Sequence, residues 1–327
     1  MNTDEVINEN KLINEYRKGQ RNFRGIRLIK PNLKQTNLNG INLHQAQLIQ
    51  ANLKETNLIN ANLSNTNLVE ANLSRAILIG ANFSGSNLTK VNLKKADLTG
   101  ATLSGAIFVN ADLSNACLIS VSLTNGNLTN CQLQRANLSG SSLTRSILDQ
   151  ANLSYANLTR AILSEVIFRQ ANLQRANLVK TYLVKANLSQ ANLTNTDLRF
   201  SNLRGANLKG ANLKNANLEG ADLTDADLTN ADLSGVDLTG AELKNTILVQ
   251  CCLKKANLSS CNLLNANLAG ANLKGANLAQ SGLLFTNLTH ANLTKANLTD
   301  ANLIGVNLNQ TKLGKNFLNQ GISLVDG

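Results

Sequence analysis

The sequence predicts an all-β solenoid, and three observations predict it. Large apolar residues recur every fifth position without a slip: from Phe23 to Leu318 each such centre is Leu or Phe, 60 consecutive units covering residues 21–320. The residue two before the centre is small, mostly Ala. The residue two after it is often Gly or Asn, as at Gly205, Gly210, Asn215, Gly220 and Gly235. A repeat at this scale decides the architecture before any local propensity does.

The period of five matches neither the 3.6 of an α-helix nor the 2.0 of a strand. It asks for a chain that turns a corner every five residues and aims every centre the same way. Side chains alternate along an extended segment, so the centre and the small residue two before it point inward together, and the other three positions point outward. A type II turn needs φ > 0 at its third residue, which Gly and Asn tolerate. Lys or Arg at the same place, as at Arg135 or Lys255, suggests that other corners use a different turn.

The most regular stretch, Ser201–Gly240, reads SNLRG ANLKG ANLKN ANLEG ADLTD ADLTN ADLSG VDLTG. This A(D/N)LXX unit resembles the pentapeptide repeat family, and the resemblance covers residues 21–320. It implies a right-handed quadrilateral β-helix with four units per coil, hence about 15 coils. At ~4.8 Å between stacked strands that is a rod roughly 70 Å long.

Three segments are expected: an N-terminal helical cap over 1–20, the repeat over 21–320 and a tail over 321–327. In residues 4–18, Val6, Ile7, Leu12, Ile13 and Tyr16 fit a short amphipathic helix, with Gly19 as its stop. Laid over the first coil, it would cover an exposed sheet end. The run Tyr16, Gly19, Arg21, Phe23 resembles the segment that leads into the repeat in bacterial, notably cyanobacterial, members. Pro31 occupies an inward slot near this end. At the other end the tail GISLVDG is too short for a capping helix, and Phe317, Leu318, Ile322, Leu324 and Val325 add apolar surface. An end-to-end homodimer through the C-terminal coils would cover it.

Composition narrows the function classes. Aromatics are 3% and Trp is absent, so the core is a Leu ladder backed by Ala. No signal peptide or stretch of ~20 apolar residues is visible, so a cytoplasmic location is expected. Cys117, Cys131, Cys251, Cys252 and Cys261 are expected as free thiols, with no spacing suited to zinc. No catalytic residue, cofactor or metal is expected. The histidines, His44 and His290, lie far apart, and the many Ser and Thr lack a nearby base. Asp222, Asp227, Asp232, Asp237 and Glu242 replace Asn in five consecutive units, an acidic belt that radiates from four sides rather than converging on a metal.

With four units per coil, residues 20 apart stack, and each side reads separately. The side centred on Leu33, Leu53, Leu73 and onward carries fourteen cations against three acids, a net of +11, equal to the whole-chain charge. A docking surface for an acidic partner would use Lys94, Lys95, Arg135, Tyr155, Arg175, Lys254, Lys255, Lys274 and Lys295. A solvated face that keeps the chain soluble would look the same. The side centred on Leu28, Leu48 and Leu68 carries a candidate apolar stripe of Ile49, Val69, Ile107, Val109, Ile147 and Ile167.

The expected function is a non-catalytic, rod-shaped scaffold for protein–protein interaction. One alternative, implied by the resemblance, is a DNA mimic that binds a type II topoisomerase. It asks for a strongly acidic surface, and the formal charge here is +11. The other is electrostatic binding of nucleic acid or an anionic membrane through the basic side, and scarce aromatics argue against nucleic-acid readout.

Overall fold

The structure, a computed structural model, describes residues 7–314. The tail 321–327, the apolar residues Phe317, Leu318, Ile322, Leu324 and Val325, and the end-to-end homodimer expected from them lie outside the described residues, as does Val6. The chain divides into two compact units, Met1–Ile162 and Leu163–Gly327.

In the first unit the repeat stacks on itself every 20 residues through parallel bridges, such as Asn42↔Asn62, Asn52↔Asn72 and Asn92↔Asp112. Four five-residue sides therefore make one turn. The unit Val91–Lys95 shows how a side is held. Val91 N–H donates to the Leu88 carbonyl across the corner (3.1 Å), and Asn92 N–H to Ala71 of the previous turn (2.9 Å). Leu93 and Lys95 N–H donate to Asp112 and Ser114 of the next turn (2.7 and 3.1 Å). The remaining amide, of Lys94, donates to the Asn92 side-chain oxygen (3.1 Å). All five amides of the side are thus paired, as backbone groups removed from water require. The side-chain oxygen of the Asn before the centre thus accepts from the one amide that the neighbouring turns leave unpaired.

The second unit repeats this arrangement. Bridges join Asn192↔Asn212, Asn212↔Asp232 and Cys252↔Asn272. In Ala271–Gly275, Leu273 and Gly275 N–H donate to Asn292 and Thr294 of the next turn (2.9 and 3.0 Å), and Lys274 N–H donates to Asn272 Oδ1 (3.3 Å).

Inside both units the centres and the small residues are buried. Leu33, Leu93, Leu213 and Leu273, with Phe83, Phe108 and Phe168, are fully enclosed, beside Ala51, Ala111, Ala211 and Ala271. Each buried Leu contributes about 2 kcal/mol of apolar transfer. Where Ser, Thr or Cys takes the small slot, its hydrogen goes to a corner carbonyl: Thr56 to Leu33 (2.8 Å), Cys131 to Phe108 (2.8 Å), Cys251 to Leu228 (2.8 Å), Cys261 to Leu238 (2.8 Å). All five cysteines are free.

The corners correct one expectation. From Gly25 to Gln310 every corner residue has positive φ, from 44° at Lys30 to 71° at Gly25, including 57° at Arg135 and 56° at Lys255. One corner conformation with positive φ serves throughout, with no second kind for basic residues. The reason is the stacking. The corner amide must reach the next turn's carbonyl, as Arg135 does to Ser154 (3.0 Å) and Lys255 to Lys274 (3.1 Å), whatever its side chain. The cost is of the order of 1 kcal/mol for a non-glycine residue.

A helix, α1 (Glu9–Arg17), precedes the repeat in the first unit. It starts later than the expected 4–18, because Asn8 is extended and its side chain accepts from Lys11 N–H (2.8 Å) as the N-cap, while Ile7 lies before the helix and donates to the Arg27 carbonyl (3.1 Å). Leu12 is fully buried, Tyr16 Oη donates to the Asn39 carbonyl (2.8 Å), and the Arg21 guanidinium lies 3.9 Å from the Tyr16 ring centroid. No described helix is long and apolar enough to cross a membrane.

Candidate functional site

The sides of the coil are flat sheet surfaces, so a site here is a face. Its chemistry is set by the residue before the centre, the one after it and the corner.

In the first unit, the basic side exposes Lys94, Lys95, Arg135 and Tyr155. Most of its cations have partners, Lys34 and Lys95 excepted among the described residues. Lys94 Nζ lies 3.0 Å from Asp112, and Lys54 and Arg75 each lie 3.8 Å from Glu55. Partial burial opposes ionisation of Asp112, but hydrogen bonds from Ser114 and Lys94 and the Lys94 charge outweigh it and hold the carboxyl below its ordinary range. The Arg135 guanidinium lies 5.7 Å from the ring centroid of Tyr155, which is 48% exposed, a cation–π pair at the surface.

In the second unit, the same side exposes Arg175, Lys214, Lys254, Lys255, Lys274, Lys295 and Lys312. Its acid is Asp232, bridged to Cys252 one turn before Lys254. The acidic belt spreads over all four sides, as the 20-residue turn requires. Its carboxylates have local work. Asp222, Asp227, Asp232 and Asp237 accept from the amides of Thr224, Thr229, Ser234 and Thr239 at 2.9–3.0 Å, as Asn does elsewhere. Arg204 reaches Asp222 (3.4 Å) and Lys209 reaches Asp227 (3.0 Å). For both carboxylates burial pulls upward, yet Thr and backbone hydrogen bonds and these cations bring them below the ordinary range. Among the described residues no cluster of His, Cys, Asp and Glu is arranged to hold a metal ion.

The apolar stripe is less continuous than its spacing suggests. In the first unit, Ile49 and Val69 are on neighbouring turns, but Thr89 separates Val69 from Val109. Ile107 and Ile147 each bridge to Asn127, which lies between them. Ile167 belongs to the second unit, where it bridges to Asn187.

Two features were missed from the sequence. His44 does have a hydroxyl beside it: its Nδ1 lies 2.7 Å from Ser64 Oγ. The pair sits one turn apart, so the 20-residue stack would have revealed it. Ser64 Oγ also donates to Asn62 Oδ1 (2.6 Å), an acceptor only, so the imidazole is left to donate to the serine. That is the opposite polarity to a base that activates a nucleophile. The second feature is a run of Leu264, Leu284 and Ile304 after successive centres in the second unit, beside Phe285, which is 61% exposed. Stacking the positions after the centre, rather than the centres alone, would have found it.

Comparison with known proteins supports the repeat. The family profile of pentapeptide repeats matches residues 22–281 and 283–315. HetL, a pentapeptide repeat protein involved in heterocyst differentiation regulation from the cyanobacterium Nostoc sp. strain PCC 7120, is 29% identical over 94% of each chain, with a TM-score of 0.23. QnrB1, a plasmid-mediated fluoroquinolone resistance protein, is 20% identical over 61% of this chain and 87% of its own, with a TM-score of 0.33. Rfr23, a pentapeptide repeat protein from the cyanobacterium Cyanothece 51142, is 36% identical over 33% of this chain and 58% of its own, with a TM-score of 0.23. No curated protein matches the chain.

Proposed function

We propose that this chain, which belongs to the pentapeptide repeat family, is a non-catalytic scaffold that presents flat sides to protein partners. The family folds as a right-handed quadrilateral β-helix. On that basis we read about 15 coils here, with α1 as the cap of the first.

The observation that carries the functional reading is the exposed Arg135–Tyr155 pair on the basic side of the first unit, two turns beyond Lys94 and Lys95. Arg and Tyr are the residue types that most often anchor protein interfaces, because each combines area with a polar handle at low entropic cost. The charge of Arg135 itself favours an acidic partner. Backbone groups along the sides are consumed within the coil, so specificity rests on side chains. The direction of the His44–Ser64 hydrogen bond supports a non-catalytic role. The net charge of +11 weighs against a DNA mimic.

The test is affinity capture from the source cell with wild type, Arg135→Ala with Tyr155→Ala, and Lys254→Ala with Lys274→Ala. A protein retained by wild type and by the lysine variant but lost from the Arg135/Tyr155 variant is expected. Equal retention by all three overturns the assignment of this face.

A further inference from the structure

We propose that the lysine face of the second unit is a plate that docks onto an anionic lipid bilayer. This goes beyond the scaffold reading and does not depend on it.

Lys254, Lys255, Lys274, Lys295 and Lys312 are all exposed, on four successive turns of one side. None of them has a carboxylate at ion-pair distance among the described residues. The reason is a spacing rule visible elsewhere in the molecule. Where a cation directly after a centre pairs with an acid of the next turn, that acid lies 18 residues on, before the centre, although Lys214 and Asp232 share this spacing without reaching ion-pair distance. Lys94–Asp112 (3.0 Å), Arg204–Asp222 (3.4 Å) and Lys209–Asp227 (3.0 Å) all obey it. For Lys254 and Lys274 the corresponding positions are Asn272 and Asn292. The chain tolerates Asp at such positions, since Asp112, Asp222 and Asp227 accept the same local amide hydrogen bond. The second unit therefore leaves these charges without a local counter-charge.

Shape and composition select the partner. The five charges occupy three columns of a flat face: Lys312 before the centre, Lys254 and Lys274 after it, Lys255 and Lys295 at the corner. A planar anionic surface meets all three columns together, whereas a single extended peptide or nucleic-acid strand follows one. No aromatic residue lies on these four turns of the side, so bases find no stacking platform. The amide of Lys274 is already bonded to Asn272, and those of Lys255 and Gly275 to the next turn, which leaves little backbone for a peptide to pair with. Lysine is a compact, hydrated point charge, suited to headgroup phosphates and carboxylates without bidentate geometry.

The experiment is co-sedimentation of the full-length protein with vesicles of phosphatidylcholine and phosphatidylserine, against pure phosphatidylcholine. Wild type is expected to bind the anionic vesicles, to ignore the neutral ones and to be released by salt of about 0.5 M. Each basic residue near such a surface is worth about fivefold in partitioning. Asn272→Asp with Asn292→Asp, which supplies the missing counter-charges and leaves every lysine in place, is expected to weaken binding about 25-fold. Lys254→Gln with Lys274→Gln should do the same, and thermal melts confirm that both variants fold. Lys94→Gln with Lys95→Gln in the first unit should cost less than about threefold. The proposal is overturned if wild type does not bind the anionic vesicles at low salt, if the first-unit and second-unit variants lose binding equally, or if duplex DNA or polyglutamate binds more tightly than the vesicles. No protein partner is in the assay, so its failure leaves the scaffold reading untouched.

Discussion

The basic side differs in kind between the two units. In the first, four of six cations are answered: Lys94 by Asp112, Lys54 and Arg75 by Glu55, Arg135 by the Tyr155 ring, while Lys34 and Lys95 have no carboxylate at ion-pair distance among the described residues. In the second, Lys254, Lys255, Lys274, Lys295 and Lys312 stand with Asn272 and Asn292 where acids would sit. The backbone beneath is the same in both, down to the Asn side chain that accepts the amide of Lys94 or Lys274. Net charge alone therefore does not describe what a repeat face offers. An acid 18 residues on can neutralise a lysine in place, as Asp112 does Lys94, whereas Asn at that position leaves the lysine for a partner.

The comparison presumes equal cores, and the largest expected effect tests that. Leu93→Asp and Leu213→Asp each bury an unpaired carboxylate in a fully enclosed slot. Each should cost more than about 3 kcal/mol in a denaturant melt. Asn212→Asp, which keeps an acceptor for the Lys214 amide, should cost little. Equal penalties for Leu213→Asp and Asn212→Asp would reverse the inward and outward faces.

Alkali should separate the units next. Burial raises the thiols of Cys251 and Cys261 to about 12, and it raises that of Cys131 as well. A raised pKa contributes stability that is complete below the unfolded value, about 8.5, and is lost as pH rises toward the folded one. At pH 10 the loss is roughly 2 kcal/mol per thiol. The second unit holds two such thiols and the first one, so hydrogen exchange should show the second loosening more between pH 8 and 10. Cys251→Ala with Cys261→Ala should reverse the difference, leaving the first unit, with Cys131, as the one that loosens more.

A smaller effect concerns the side-chain acceptor shared by both faces. Asn92→Ala and Asn272→Ala leave the Lys94 and Lys274 amides to water and should each cost about 1 kcal/mol. Asn→Asp at either site should be within about 0.5 kcal/mol of wild type. A neutral Asn→Ala would show that water serves as well.

The smallest effect is at acid pH. Asp112 in the first unit and Asp197, Asp222 and Asp227 in the second are held below the ordinary range. For Asp197 the leading cause is its hydrogen bond from Arg199, whose two nitrogens lie 2.9 and 2.7 Å from its oxygens. Depressed carboxylates contribute stability that is present above about pH 4 and lost as pH falls through their folded values. These pairs are at the surface, so each is worth less than about 1 kcal/mol. Melting temperature should hold from pH 7 to 5 and decline below 4, less steeply in Asp197→Asn. A decline beginning at pH 6 would implicate other groups.

Much of this was legible in the sequence, and the residues show why. The five-residue period of Leu and Phe with Ala two before it placed the core, since burial of a large beside a small side chain follows from alternation alone. The helix at the start was legible from Leu12 and Tyr16, although its first residue was set by the Asn8 cap. The corners were misread at Arg135 and Lys255, yet a signal was present: from Gly25 to Gln310 no corner is Val, Ile or Thr, the side chains least able to take positive φ. The role of Asn before the centre was not legible. It depends on which amides the neighbouring turns leave unpaired.

What the sequence by itself determined, then, is the local rule: which residues face in and where the chain turns. That rule is local because it comes from alternation, turn sterics and burial within five residues. Only the tertiary structure decided which charges meet, because Lys94 reaches Asp112 and His44 reaches Ser64 across a turn of 20 residues. Ion pairing and hydrogen bonding act over about 3 Å in space, and that distance is fixed by how coils stack rather than by separation along the chain.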